Sequence, residues 1–181
     1  TVAKKKITCL LMIRSFHAKG KTIPDGDFFR IDYETNFNLI TRIRDSFNED
    51  VDFIIKPHPK ASLPQVNELL ADCELKNYKV TYDSFYELLP SVDLVIANFT
   101  TSLLLPIFYE IPTIIIEDYV LDHVAKWDVM QKMYFGLELY CKREHDLGEL
   151  VNYALNKYAP KSDVEFLRFY FPDHYLEKNK E

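Results

Sequence analysis

The stretch FIIKPHPK, at residues 53–60, decides the fold, because an apolar run of strand length ends there in a histidine between two prolines. Each proline forces the residue before it into extended geometry, so Lys56 and His58 are expected to be held extended and rigid. A histidine just past the carboxyl end of a strand lies where open α/β sheets bind their ligands. The stretch therefore predicts a strand that leads into a ligand-binding loop, with a purely rigid loop as the alternative.

Apolar runs of strand length alternate with helical patterns along the rest of the chain. The expected strands are 7–13, 51–55, 78–82, 92–97 and 112–116, with a short sixth near 137–140. The expected helices are 33–47, a segment opened by Ser62, a short helix after residue 83, and segments at 103–109, 121–133 and 146–158. Strands that alternate with helices over short connections form a parallel sheet between helical layers. The sequence thus predicts an α/β, Rossmann-like three-layer domain with a central parallel sheet.

Length and composition narrow the class of protein. A chain of 181 residues is expected to form a single domain, 1–181, with a core at about 7–160 and a carboxyl-terminal tail at 161–181. Its 22 basic and 28 acidic side chains give a net charge of −6, which argues against nucleic acid as a partner. The three widely spaced cysteines predict neither a disulfide framework nor a zinc site. No apolar run is long enough to predict a transmembrane segment.

Polar residues follow three of the predicted strands. Because the carboxyl ends of strands in a doubly wound sheet meet at one rim, these residues are expected to face a common site. Hydroxyls at the start of a helix can hold a phosphate, although the hydroxyls at 100–102 could alternatively act only as a helix cap. With four glycines, the chain cannot carry a usual P-loop or dinucleotide fingerprint. The candidate phosphate-binding residues are Arg14, Ser15, Lys56, His58, Pro59, Thr100, Thr101 and Ser102.

The order of these motifs resembles a known family. The motifs are KPHP at 56–59, DSFYELL at 83–89, SVDLVIA at 91–97, Thr101 with Ser102, and IPTI at 111–114. Their order resembles the carboxyl-terminal, nucleotide-binding half of a GT-B-fold glycosyltransferase, so the domain is expected to be one half of a GT-B architecture. Bacterial sialyltransferases, polysialyltransferases and capsule-polysaccharide transferases are the most similar groups. The glycerophosphotransferases of teichoic acid synthesis share much of the pattern, and the resemblance covers roughly residues 7–119.

The resemblance implies roles for particular residues. In those families the histidine of a His-Pro pair and a Ser/Thr pair contact the phosphate of the donor nucleotide. By this resemblance His58 stabilises the leaving phosphate, and the hydroxyls of Thr101 and Ser102 contact the same group. Lys56 and Arg14 would add positive charge, with solvated surface positions as the alternative for both. No metal ion is expected at the site.

The resemblance also implies a function. The expected protein is the donor-binding domain of a metal-independent, sialyltransferase-like enzyme that makes bacterial capsule or lipopolysaccharide. Its expected substrate is a CMP- or CDP-linked nucleotide sugar, with no separate cofactor, and its expected location is the cytoplasm or the inner face of the membrane. The alternatives are a glycerophosphotransferase-like domain and a non-catalytic nucleotide- or phosphate-binding module. A flavodoxin-type interaction domain fits less well, because Arg14 and Ser15 stand where receivers of that type have an acidic cluster.

Two positions depart from the family's pattern. Many GT-B enzymes place an acidic residue seven positions before the strand-opening proline, here Pro112, to hold the ribose hydroxyls, whereas this chain has Leu105. The glycine that is usual two positions before that proline is replaced by Glu110. The catalytic base and acceptor site of such enzymes lie in an amino-terminal domain, for which 181 residues leave no room. The chain is therefore expected to be a fragment, or to work with a partner, and to be inactive alone, with its tail packing on the missing domain.

Overall fold

Six parallel strands form the centre of the molecule. The computed structural model describes residues 6–21, 32–47, 51–98, 101–116, 139–141, 145–158 and 169–170. The strands are β1 (Ile7–Ile13), β2 (Val51–Pro57), β3 (Tyr78–Val80), β4 (Leu94–Ala97), β5 (Thr113–Ile116) and β6 (Leu139–Cys141). They pair in the order β3-β2-β1-β4-β5-β6, and every neighbouring pair is parallel. This is the strand order of a doubly wound Rossmann-like sheet, and it reverses direction between β1 and β4.

In the described residues, five helices flank the sheet. They are α1 (Tyr33–Asp45), α2 (Leu63–Asp72), α3 (Phe85–Leu88), α4 (Leu104–Phe108) and α5 (Leu147–Asn156). A short 3-10 turn at Leu89–Ser91 follows α3, and another at Thr101–Leu103 precedes α4. Apolar side chains of α1, α2 and α5 pack in one buried cluster, and those of α3 and α4 pack in a second. The helices therefore form two layers with the sheet between them, which confirms the predicted three-layer α/β domain.

The central strand β1 contributes to both clusters. Cys9, Leu11 and Ile13 face the layer of α1, α2 and α5, whereas Leu10 and Met12 face the layer of α3 and α4. Alternate residues of a strand point to opposite faces, so a strand covered on both faces must be apolar throughout. This explains why the sequence of β1 is nearly continuously apolar.

Two helices end in the same way, without glycine. Glu74 follows α2 with φ 50°, and Glu110 follows α4 with φ 58°. The backbone N–H groups of Leu75 and Ile111, the residues that come next, donate back to carbonyls of the preceding helix, as in a Schellman motif. Glu110 thus keeps the left-handed backbone that a glycine would supply at this position.

Strand β2 is two residues longer than predicted. The prediction ended the strand at residue 55, whereas Lys56 and Pro57 pair in register with Met12 and Ile13 of β1. The prolines impose extended geometry, which is the geometry of a strand, so they lengthen β2 instead of ending it.

The prolines fit the strand because of the direction in which each backbone group points. The N–H of His58 donates to Ile13 of β1 at 2.8 Å, whereas the N–H of Phe53 donates to Asn77 on the β3 side at 2.8 Å. Position 57 alternates with 58 and therefore faces the β3 side, where β3 has already ended. Pro57 consequently removes no hydrogen bond from the sheet.

Other boundaries differ by a few residues. Strand β4 begins at Leu94 rather than at 92, because the Asp93 carboxylate accepts from the N–H of Thr8 at 3.0 Å and takes the place of a ladder bond. Strand β3 stops at Val80 and β6 lies at Leu139–Cys141. The predicted helix at 121–133 lies outside the described residues, as does the predicted tail except for 169–170. None of the described helices has the length and apolar character needed to cross a membrane.

Candidate functional site

A cavity of about 380 Å³ opens at the carboxyl ends of the strands, at the point where the strand order reverses. Ligands of open α/β sheets bind at such a reversal, because the loops after the two central strands diverge there. Residues from four successive strand ends line it: Met12, Ile13, Arg14, Lys56, Pro57, His58, Pro59, Tyr82, Asp83, Ser84, Phe85, Tyr86, Asn98, Ser102 and Leu105. The structure therefore brings the loops after β1, β2, β3 and β4 to one place.

His58 is held by its backbone and by its ring. Its N–H donates to the carbonyl of Ile13, and its Nδ1 accepts from the backbone N–H of Lys60 at 3.1 Å. Partial burial, and then the nearby charges of Lys60 and Arg14, lower the pKa of the imidazole. The neutral ring therefore carries its proton on Nε2, which is left as a hydrogen-bond donor suited to an anionic oxygen.

Lys56 lies in the cavity wall and is half-buried. Its ammonium donates to the backbone carbonyl of Asp83 and sits 4.9 Å from the centre of the Phe85 ring. Burial lowers the pKa of this lysine, and the Asp83 carboxylate partly opposes the shift. Lys56 thus ties the end of β2 to the loop before α3 while keeping a positive charge beside the cavity.

The residues after β1 divide between the cavity and the core. Arg14 lines the cavity, and its charge is one of the causes of the lowered pKa of His58. Ser15, which was predicted to join the site, is buried with 4% exposure and does not line the cavity. Adjacent residues of an extended chain point to opposite sides, so only one of this pair can face the ligand.

The segment after β4 differs from the predicted helix start. Thr101–Leu103 form a 3-10 turn, and α4 begins only at Leu104 and has five residues. Ser102 lines the cavity, whereas Thr100 and the side chain of Thr101 lie outside the described residues. Because α4 is so short, its dipole is small, and an anion here would depend on the side chains around it more than on the helix.

Several cavity residues were not identified from the sequence, among them three aromatic residues and an asparagine. Tyr82, Phe85 and Tyr86 follow β3 and present aromatic rings, of which Tyr86 is 63% and Tyr82 48% exposed. Asn98 follows β4 directly and is completely buried. Asn98 is the first residue after β4, as His58 is the first residue after β2. This shared position is the sequence signal from which Asn98 could have been predicted. Exposed aromatic rings that line a cavity can stack on a planar ligand group.

The two departures from the family pattern have different structural meanings. Leu105 lines the cavity, so an apolar side chain occupies the position where the resembling enzymes have a carboxylate. Glu110 does not line the cavity, and it adopts the left-handed backbone that ends α4. Asp83 is the acidic residue among the described lining residues, and its backbone carbonyl accepts from Lys56 of β2.

The lining combines groups that can contact an anion with aromatic rings that can contact a planar group. Arg14, Lys56 and the Nε2 of His58 supply positive charge and a donor, and Ser102 supplies a hydroxyl. In the described ranges, no group of three or more His, Cys, Asp or Glu side chains is arranged to hold a metal ion.

Neither the scan against protein-family models nor the search of curated proteins gave a match to the chain.

Proposed function

We propose that this chain is the donor-nucleotide-binding domain of a sialyltransferase-like glycosyltransferase with the GT-B architecture, acting in bacterial surface-carbohydrate synthesis. The single observation that carries the proposal is the convergence of His58, Arg14 and Ser102 on one cavity at the strand reversal. A nucleotide sugar needs a phosphate site next to a cavity that can take a base or a sugar. This cavity combines the two, since cationic and hydroxyl groups lie beside aromatic rings.

In this role His58 acts on the leaving group. When the bond between the sugar and the phosphate breaks, negative charge builds up on the nucleotide phosphate. An Nε2 donor fixed through Nδ1 is already oriented, so it stabilises that charge without reorganising. Arg14 strengthens the interaction through its positive charge, and the acceptor and its catalytic base would come from a second domain.

The test is a calorimetric titration of the 181-residue chain with CMP, CDP and UDP. We expect a cytidine nucleotide to bind, and His58→Ala to weaken it at least tenfold, since a hydrogen bond to a charged group contributes about 1.5–3 kcal/mol. His145→Ala is the matched control, because His145 is an exposed histidine that does not line the cavity. Equal affinity in wild type and His58→Ala, or no nucleotide binding at all, would refute the proposal.

A non-catalytic nucleotide-binding module is the second candidate, favoured by Leu105 in the cavity wall. Both candidates bind the nucleotide, so titration alone does not separate them. Addition of an amino-terminal domain, if a longer reading frame encodes one, should produce transfer from a CMP-linked sugar in the first case and leave binding without turnover in the second.

A further inference from the structure

Asn98 lines the cavity, and its side-chain oxygen has no hydrogen-bond partner among the described residues. The residue is completely buried, and its Nδ2 donates to the carbonyl of Ile116 at 3.5 Å. Its Oδ1 is buried and accepts no hydrogen bond in the part of the chain that the structure describes. A buried oxygen of this kind is costly to leave unpaired, so an unsatisfied one that borders a cavity indicates a missing donor.

The orientation of the amide follows from its neighbour. If the amide were reversed, Oδ1 would face the carbonyl oxygen of Ile116, and two acceptors would meet. The Nδ2 group therefore stays on the Ile116 side, and Oδ1 stays available. Asn98 lines the cavity, and the unpaired atom of its side chain is therefore an acceptor and not a donor.

The acceptor divides the cavity into two chemically different parts. An anionic oxygen would be repelled by Oδ1, so a phosphate belongs with Arg14, His58 and Ser102 and not beside Asn98. Asn98 follows β4, which lies two strand spacings from β2, or about 10 Å at the usual separation of neighbouring strands. One phosphate ester can span that distance, with its phosphate at β2 and an uncharged donor at β4.

We propose that Asn98 accepts a hydrogen bond from a hydroxyl of the bound phosphate ester and thereby selects hydroxylated ligands over their deoxy analogues. The inference rests on the proposed nucleotide-binding function and names a specificity-determining residue for it. The hydroxyl can belong to the ribose or to the transferred sugar, since both are uncharged donors attached to the same phosphate.

The test compares ligands and variants in one set of titrations on the 181-residue chain. The ligands are CMP, 2′-deoxy-CMP, 3′-deoxy-CMP and CMP-N-acetylneuraminate, and the variant is Asn98→Ala. Asn152→Ala is the control, because it removes an exposed asparagine of α5 that does not line the cavity.

A ribose hydroxyl is expected to make one deoxy nucleotide bind about tenfold more weakly than CMP to the wild type, and Asn98→Ala should abolish that difference. A sugar hydroxyl is expected to leave the three nucleotides equal, while Asn98→Ala weakens CMP-N-acetylneuraminate about tenfold and CMP not at all. The wild-type comparison of ligands does not depend on whether a variant folds.

Two results together would overturn the inference. The wild type would bind CMP and both deoxy nucleotides with equal affinity, and Asn98→Ala would bind CMP and CMP-N-acetylneuraminate with the affinities of the wild type. In that outcome His58-dependent binding of CMP would persist, so the proposed function would stand. Absence of CMP binding would instead overturn the proposed function, and this inference with it.

Discussion

The two glutamates that end α2 and α4 in left-handed geometry allow a sharp test of the backbone. Glu74 and Glu110 are both exposed, and their φ angles are 50° and 58°. A residue with a Cβ loses about 1–2 kcal/mol in this region, whereas glycine does not. Glycine also makes the unfolded chain more flexible, which costs about 0.5–1 kcal/mol. Each glutamate-to-glycine substitution should therefore stabilise the fold by about 0.5–1 kcal/mol, because the relief of strain outweighs the added entropy.

The assay is urea unfolding followed by circular dichroism, with thermal melting as a second measurement. The double variant Glu74→Gly/Glu110→Gly is expected to gain about 1–2 kcal/mol, because the sites are independent, and to melt about 3–6 °C higher. Glu68→Gly is the matched control, since Glu68 is an exposed glutamate inside α2, and it should lose about 1 kcal/mol. If Glu74→Gly and Glu110→Gly lose stability as Glu68→Gly does, the left-handed backbone assigned to the ends of α2 and α4 is wrong.

Two further outcomes are expected. Gly148→Ala should destabilise the protein by about 1 kcal/mol, although alanine normally favours a helix. The added Cβ would lie 3.2 Å from Asp146 Oδ1 and 3.3 Å from the Ser46 carbonyl oxygen. A higher urea midpoint for this variant would contradict the contact between α1 and α5. Burial raises the pKa of Cys73 to about 11 and that of Cys9 further, and all three cysteines are buried free thiols. A thiol reagent at pH 8 should therefore label no cysteine of the native protein and all three in denaturant, and rapid labelling of the native protein would refute the burial.

The fold was predictable because its main signals are local. β1 was predicted with its observed bounds, since a strand buried on both faces must be apolar along its whole length. The buried stripe of α2, with Val66, Leu69, Leu70 and Cys73, follows from helical spacing alone, and all four side chains are completely buried. Such patterns depend on few residues that are close in sequence.

The differences arose where distant residues decide the result. The length of β2 depends on β1 accepting the N–H of His58 and on β3 ending early, and neither fact is visible within residues 53–60. The burial of Ser15 beside the cavity-facing Arg14 likewise depends on how the chain turns after β1. Asn98 was missed because an asparagine gains meaning only when its buried oxygen has no partner, which is a property of the packed structure.

The alternation of proline and histidine at the end of β2 also protects the open edge of the sheet. Beyond the end of β3, the outer side of β2 would normally offer backbone N–H groups to any extended chain that approached. Pro57 has no N–H on that side, while His58 directs its own N–H inward to β1. A strand of another molecule therefore meets no backbone N–H donor on this side of β2. Edge-to-edge association next to the opening of the cavity is disfavoured as a result.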